Sequence, residues 1–237
     1  MSNNWFQFKQ FLINQDKTAM KVGVDGLLLG AISHFGNAFS VLDIGAGTGL
    51  LSFMSAQKTN AEITALEIEK DAFNQCFENV KLNKKQDRIR VLNISFQEFY
   101  PTTQQKFDFI ICNPPFFENS TKSKSVNKNT ARHSDTLPKE DLVKGVSKLL
   151  NPEGKFSVIL PFKYENYFKK LCFNYGLFLI YKLIICPKSQ KLPNRIILEF
   201  SPKKFVLKAE KLIIRENDTN QYTKTYKELT KDFYLHF

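Results

Sequence analysis

Cysteine is too sparse and too scattered in this 237-residue chain to build a disulfide framework. Cys76, Cys112, Cys172 and Cys186 form no Cys-x-x-Cys pair, and the three histidines are widely spaced. Cys112 and Cys186 lie inside apolar runs, where a thiol behaves as a small buried hydrophobe. All four therefore read as reduced core residues, and no metal site is expected. No run of 18 apolar residues occurs, and Met1-Ser2-Asn3-Asn4 lacks the charged and apolar sections of a signal peptide. A cytoplasmic protein with no membrane partner is the expectation. Acid is also in short supply. Against 34 basic residues stand 23 acidic ones, and the resulting charge of +11 suits a polyanion such as nucleic acid or an anionic membrane, or simply a well-solvated surface.

What is present is ample apolar material, 43% of residues with 23 phenylalanines, enough for a buried sheet. From Ser40 onward, short β-branched runs alternate with longer amphipathic ones, the pattern of βαβ units around a parallel sheet. Strands are predicted at 41–44, 63–68, 89–94, 107–112 and 155–160, the last after an Asn-Pro-Glu-Gly turn at 151–154. Helices are predicted at 50–57, 71–82, 139–150 and 164–175. Two further strands, 177–185 and 195–200, have only a loop between them, which implies an antiparallel hairpin at that edge. Residues 212–215 and 222–229 offer a further strand and helix. Ahead of the sheet, aromatics at positions 6 and 8 suggest a hairpin arm, and 24–35 a helix. The fold expected is α/β, a doubly wound, mostly parallel seven-stranded sheet with an antiparallel edge hairpin. A single domain over 1–237 is expected, with an N-terminal arm and helix (1–36), a core (37–202) and a C-terminal extension (203–237).

Asp43-Ile44-Gly45-Ala46-Gly47-Thr48-Gly49 follows a predicted strand and opens a predicted helix, the context in which a glycine loop carries meaning. Glycines at 45, 47 and 49 let backbone pass under a ligand where a Cβ would collide. A dinucleotide fingerprint would need glycine at position 50, which is leucine. The tighter Gly-x-Gly-x-Gly spacing after an acid resembles the first motif of class I S-adenosylmethionine methyltransferases, a Rossmann-like superfamily, over roughly residues 20–200. That resemblance implies S-adenosylmethionine as cofactor, with Asp43 facing its amino group directly or through water. Glu67, 18 residues past Gly49, closes the second strand where a carboxylate can accept from both ribose hydroxyls; Ile68 beside it joins the cofactor set. Ser95, Phe96 and Gln97 follow the third strand, where the superfamily holds the adenine ring. The superfamily often has an acid at this turn, and this chain has Ser95.

Asn113-Pro114-Pro115-Phe116 comes directly after the strand at 107–112, so it shares the sheet's carboxyl edge with the glycine loop. An exocyclic amine of the adenine type is a poor nucleophile, its lone pair spread into the ring. Two acceptors aimed at its N–H bonds, the Asn113 side-chain oxygen and the Pro114 carbonyl, localise density on nitrogen and stabilise the charge that develops there. Pro114 and Pro115 fix two consecutive φ angles and hold that carbonyl in place. Phe116 offers a face on which a base stacks. Transfer is then a direct in-line displacement, with positioning as the main contribution.

This motif is shared by enzymes acting on adenine N6, guanine N2 and glutamine amides, so it names an acceptor class. The charge, the lack of room for a large extra domain and the loop Asn119–Ser134 favour RNA. That loop carries Lys122, Lys124, Lys128, Arg132 and His133 and no acidic residue. A second basic group, Lys188, Lys191, Arg195, Lys203, Lys204 and Lys208, accompanies the edge hairpin. The N-terminal block is more specific. Phe8 to Asp16, Ala19 to Gly26 and Leu28 to Ala31 resemble the bacterial valine-tRNA adenine-37 N6-methyltransferase family, with Val24 where that family is expected to have threonine. The resemblance implies a tRNA anticodon arm as partner and Lys21 and Asp25 at the cofactor's amino-acid end; a monomer with no obligate protein partner is expected. Alternatives are a guanine-N2 rRNA methyltransferase, a protein glutamine N5-methyltransferase, and a catalytically silent RNA-binding module. The intact glycine loop and Asn113–Phe116 speak against the last.

Overall fold

The computed structural model describes residues 3–18, 20–115 and 137–236. The chain opens with an antiparallel hairpin, β1 (Trp5–Gln7) and β2 (Leu12–Asn14), then helix α1 (Val24–Ile32). The alternating part runs β3 (Ser40–Ile44), α2 (Leu50–Lys58), β4 (Glu62–Leu66), α3 (Lys70–Leu82), β5 (Ile89–Leu92), α4 (Phe96–Thr102) and β6 (Phe107–Cys112). Beyond residue 136 come α5 (Lys139–Leu149), β7 (Leu150–Pro161), a short 3-10 turn (Phe162–Tyr164) and α6 (Glu165–Asn174). The last elements are β8 (Phe178–Cys186), β9 (Arg195–Ser201), β10 (Lys208–Ile213) and α7 (Lys224–Thr230).

Eight of these strands form one sheet in the order β10-β8-β9-β7-β6-β3-β4-β5. Strands β3 to β7 are parallel, and β9 runs antiparallel to both its neighbours. Alternation along each strand divides the apolar residues between two layers. Val41, Phe109, Ile111, Ile159, Ile185 and Ile197 face one buried cluster, which also takes in Leu27–Leu29, Phe53, Phe8 and Tyr226. Leu42, Ile44, Ile110, Cys112, Val158 and Leu198 face the other, against Val143 of α5 and Phe168 of α6. All four cysteines are free and buried, as small hydrophobes would be. No helix among the described residues is long and apolar enough to cross a membrane.

The expected mostly parallel, doubly wound sheet is present, with three differences of detail. It has eight strands rather than seven, because Lys208–Ile213 adds in parallel to β8 beyond the hairpin. The Asn151–Gly154 turn is a bulge inside one strand, since Phe107 pairs with Leu150 and Phe109 with Lys155. Helix α4, absent from the sequence reading, is nucleated by a capping box in which Ser95 Oγ accepts from the Glu98 N–H and Glu98 reaches back to the Ser95 N–H.

An amide ladder fixes the N-terminal arm. Gln75, Asn79 and Asn83 recur every fourth residue of α3 and so share one stripe. Asn83 both accepts from the Leu12 N–H and donates to its carbonyl; Asn79 does the same with Asn14; Gln75 accepts from the Lys17 N–H. Asn79 Nδ2 also donates to the Thr48 carbonyl at 2.9 Å, which ties the arm to the glycine loop.

Candidate active site

The carboxyl ends of β3, β4 and β6 meet in a crevice. After β3 the chain turns through Gly45 (φ 73°) and Gly47 (φ 56°), left-handed angles that a side chain resists. Among the described residues, a Cβ at either position would meet no atom within 4 Å, so both backbones face open space. The loop is pinned to β4: the Gly45 and Ala46 N–H groups both donate to the Leu66 carbonyl at 2.9 Å. Glu67, just past the end of β4, accepts from the Gly47 N–H at 2.8 Å on one oxygen and from the Glu69 N–H at 2.9 Å on the other. Burial raises its pKa above the usual carboxylate value, and these two backbone bonds counter the shift.

A cavity of about 530 Å³ runs from this loop across the strand ends. Gly45, Gly47, Glu67, Ile68, Ser95, Phe96, Gln97, Asn113, Pro114 and Pro115 all line it, so most of the residues singled out in the sequence come together. A second cavity of about 380 Å³ continues beneath the start of α1, where Lys21, Asp25 and Ala46 line it. Met20, Gly45, Gly47, Asn113 and Pro114 border both, so the two are lobes of one crevice. Asn113 is half-buried, Pro114 buried and Pro115 exposed, with Asn113 Nδ2 3.7 Å from where a Cβ on Gly26 would stand.

Two expected cofactor residues do not reach the crevice wall. Gly49 lines neither lobe; a Cβ there would come 2.9 Å from Cys76 Sγ and 3.2 Å from the Phe53 ring. Its φ of 88° and its place as N-cap of α2 give it a part in the turn and in helix packing. Asp43 is fully buried below the loop, where Oδ2 accepts from Ser52 Oγ at 2.6 Å and Oδ1 has no hydrogen-bond partner among the described residues. Burial pushes its carboxyl up to about 7; the Ser52 bond pulls the other way and Glu67 adds to the rise. Asp25 carries a partner the sequence did not suggest, since Arg195 Nε donates to its Oδ2 at 2.7 Å. Phe116, Lys122, Lys124, Lys128, Arg132 and His133 lie outside the described residues.

Comparison with known proteins agrees with this geometry. Residues 25–170 match the Methyltransferase small domain family. A tRNA1(Val) (adenine(37)-N6)-methyltransferase from Trichodesmium erythraeum is 41% identical over 242 residues, covering all of both chains. One of the same name from Flavobacterium psychrophilum is 42% identical over 97% of this chain and 99% of its own. The chain belongs to this methyltransferase family. Among solved structures, a predicted O-methyltransferase from Agrobacterium tumefaciens superposes with a TM-score of 0.68 at 18% identity, over 88% of this chain and 96% of its own. An S-adenosylmethionine-dependent methyltransferase from Clostridium acetobutylicum gives 0.54 at 13% identity, over 76% and 92%. The methyltransferase therefore has the class I, Rossmann-like fold.

The crevice of this methyltransferase also has walls that the sequence reading missed. Thr18, Met20, Glu69, Ala72, Ile94 and Leu137 line the larger lobe. Met20 had a signal, since it sits inside the N-terminal block. Glu69 had another: it is the N-cap of α3, its carboxylate accepting from the Ala72 N–H at 2.7 Å.

Proposed function

We propose that this methyltransferase transfers the methyl group of S-adenosylmethionine to N6 of adenine 37 in a valine tRNA, in the cytoplasm. The relatives that share its full length carry that name. The observation that carries the reading is the single crevice bordered by Gly45 and Gly47 on one side and by Asn113 and Pro114 on the other. The residues suit the cofactor: a glycine backbone facing open space, a carboxylate past the end of β4 and an aromatic wall past β5. When bound, the cofactor supplies an electrophilic methyl on a sulfonium.

Each protein residue then has a task. Every carboxylate oxygen has two lone-pair sites, so Glu67 keeps acceptor capacity for ribose hydroxyls while it holds Gly47 and Glu69. Ile68, Ser95, Phe96 and Gln97 enclose the purine; Lys21, Asp25 and Ala46 border the amino-acid end. Asp43 acts from below, through Ser52 and the loop. Asn113 Oδ1 and the Pro114 carbonyl accept from the two N–H bonds of the target amine, and Pro115 stiffens the turn. By the same reading Phe116 stacks on the base, and Lys122, Lys124, Lys128, Arg132 and His133 hold phosphates.

The test is incubation of the enzyme with labelled S-adenosylmethionine and a whole extract, RNA and protein, from a strain lacking the gene. Label is expected in the tRNA fraction, recovered as N6-methyladenosine next to the valine anticodon. Label only in rRNA as N2-methylguanosine, or only in protein, overturns the proposal.

A further inference from the structure

The basic residues around β8 and β9 divide between opposite edges of the protein. Lys188, Lys191 and Arg195 stand at the end of β8 and the start of β9, on the edge that holds the crevice, because β8 runs parallel to β7 through the antiparallel β9. Lys203 and Lys204 follow the end of β9 on the far edge. Strand β8 has nine residues, so roughly 25 Å separates the two groups.

On that far edge lies a groove of about 580 Å³ between α6, the start of β8 and the turn after β9. Its walls combine three ammonium groups, Lys169, Lys170 and Lys204, with three rings, Phe173, Phe178 and Phe205, and among the described residues no carboxylate lines it. Phe173 is 65% and Phe205 46% exposed, which leaves ring surface open to solvent. Lys204 Nζ lies 4.8 Å over the Phe178 ring, and Phe173 meets Phe178 edge to face at 6.0 Å. Glu165, next to the groove, is shared between Lys169 at 3.7 Å and Lys182 at 3.1 Å, which leaves the groove positive. Exposed rings interleaved with lysines, two of which lie over Phe178 and Phe205, match an unpaired stretch of nucleic acid, whose bases stack on the rings while its phosphates meet the ammonium groups.

We infer that this groove is a second RNA-contact site, which holds an unpaired segment of the substrate RNA away from the base being modified. The inference rests on RNA being the substrate. Stacking and phosphate contacts are indifferent to base identity, so the contribution expected of the groove is affinity and orientation.

Two variants test it, Lys169→Glu/Lys170→Glu/Lys204→Glu and Phe173→Ala/Phe205→Ala, with Kd for an unmodified valine-tRNA transcript measured by fluorescence anisotropy across a salt series. The lysine variant is expected to bind at least about tenfold more weakly, its log Kd against log salt flatter by about 0.7 per lysine removed. The phenylalanine variant is expected to lose about 5- to 100-fold with its slope unchanged. For both, kcat at saturating RNA, S-adenosylhomocysteine affinity and Kd for a hairpin trimmed to the anticodon loop should match wild type. Unaltered tRNA affinity in both variants overturns the inference, as does a loss confined to binding of anionic phospholipid vesicles or to self-association in sedimentation. Weakened RNA binding in the variants alongside a wild type that methylates no tRNA would sustain the groove and sink the proposed reaction. Intact tRNA methylation with unchanged Kd would do the reverse.

Discussion

Replacing Gly145 by alanine sets two effects of opposite sign against each other. Within α5, alanine is favoured over glycine by about 1 kcal/mol through helix propensity alone. A Cβ on Gly145, however, would lie 2.4 Å from Phe96 Cε1, 2.6 Å from Phe96 Cζ and 2.9 Å from Tyr100 Cδ1. Carbon atoms pack comfortably from about 3.5 Å, so the Phe96 ring must retreat by about 1 Å. That ring is 4% exposed, and its partner Tyr100 sits 5.5 Å away, centroid to centroid, so neither yields freely. Overpacking costs about 1–3 kcal/mol, and a clash with two rings that do not yield freely belongs in the upper part of that range, about 2–3 kcal/mol, which outweighs the propensity gain. The expected net loss is about 1–2 kcal/mol, or a fall in Tm of about 2–8 °C for a chain of this size. Because Phe96 also lines the crevice, affinity for S-adenosylhomocysteine should fall with it. Urea unfolding and titration calorimetry measure the two effects. Adding Phe96→Leu should relieve the clash, with a coupling energy of at least about 0.5 kcal/mol in the double-mutant cycle. A Gly145→Ala protein as stable as wild type, or additive costs in the cycle, would refute the reasoning.

Asn113→Ala removes one of two acceptors for the target amine; the single-turnover transfer rate should fall by about 10²–10³, far more than S-adenosylhomocysteine affinity, to which Asn113 also contributes from the crevice wall. An undiminished rate would remove Asn113 from the mechanism. Gly47→Ala places a methyl in the crevice at φ 56°, costing about 1–2 kcal/mol of backbone strain and most of the cofactor affinity; wild-type affinity by calorimetry would show that the loop is no cradle. Asp43 should make the cofactor-free protein pH-sensitive. Its folded pKa of about 7 lies above the ordinary 3.8, so the folded state holds a proton that the unfolded chain has released. The stability this contributes is complete below about 3.8 and is lost as pH rises to about 7. Asp43→Asn should flatten the urea midpoint against pH over that window, and a wild-type slope in the variant would locate the effect elsewhere.

The parts of the fold most legible in the sequence were those where burial enforces a pattern. Strand β6 matches its predicted 107–112 limits because five of its six residues are buried in the middle of the sheet. Strand β10 was predicted at 212–215 and lies at Lys208–Ile213, because its first four residues are exposed and backbone pairing to β8 alone defines it. Helix α4 was overlooked because it is only seven residues long with Pro101 inside it, and Ser95 was read for a ligand instead of a cap. Within the site, glycine spacing marked the loop but could not separate Gly45 and Gly47, which face the crevice, from Gly49, which faces Cys76. The Arg195–Asp25 pair spans 170 residues of sequence, and the bond of His34 Nδ1 to buried Glu199 spans 165; no local pattern announces either.

The arm that leads to Thr18 and Met20 leans on the far end of the chain. The Lys9 N–H donates to the Phe233 carbonyl at 2.8 Å, and Phe6 and Phe8 pack against Tyr234. On the ribosome, residues 226–234 emerge only after every strand of the sheet. A nascent chain can thus assemble its strands, with the arm already held to α3 by Gln75, Asn79 and Asn83, before its contacts to Phe233 and Tyr234 exist.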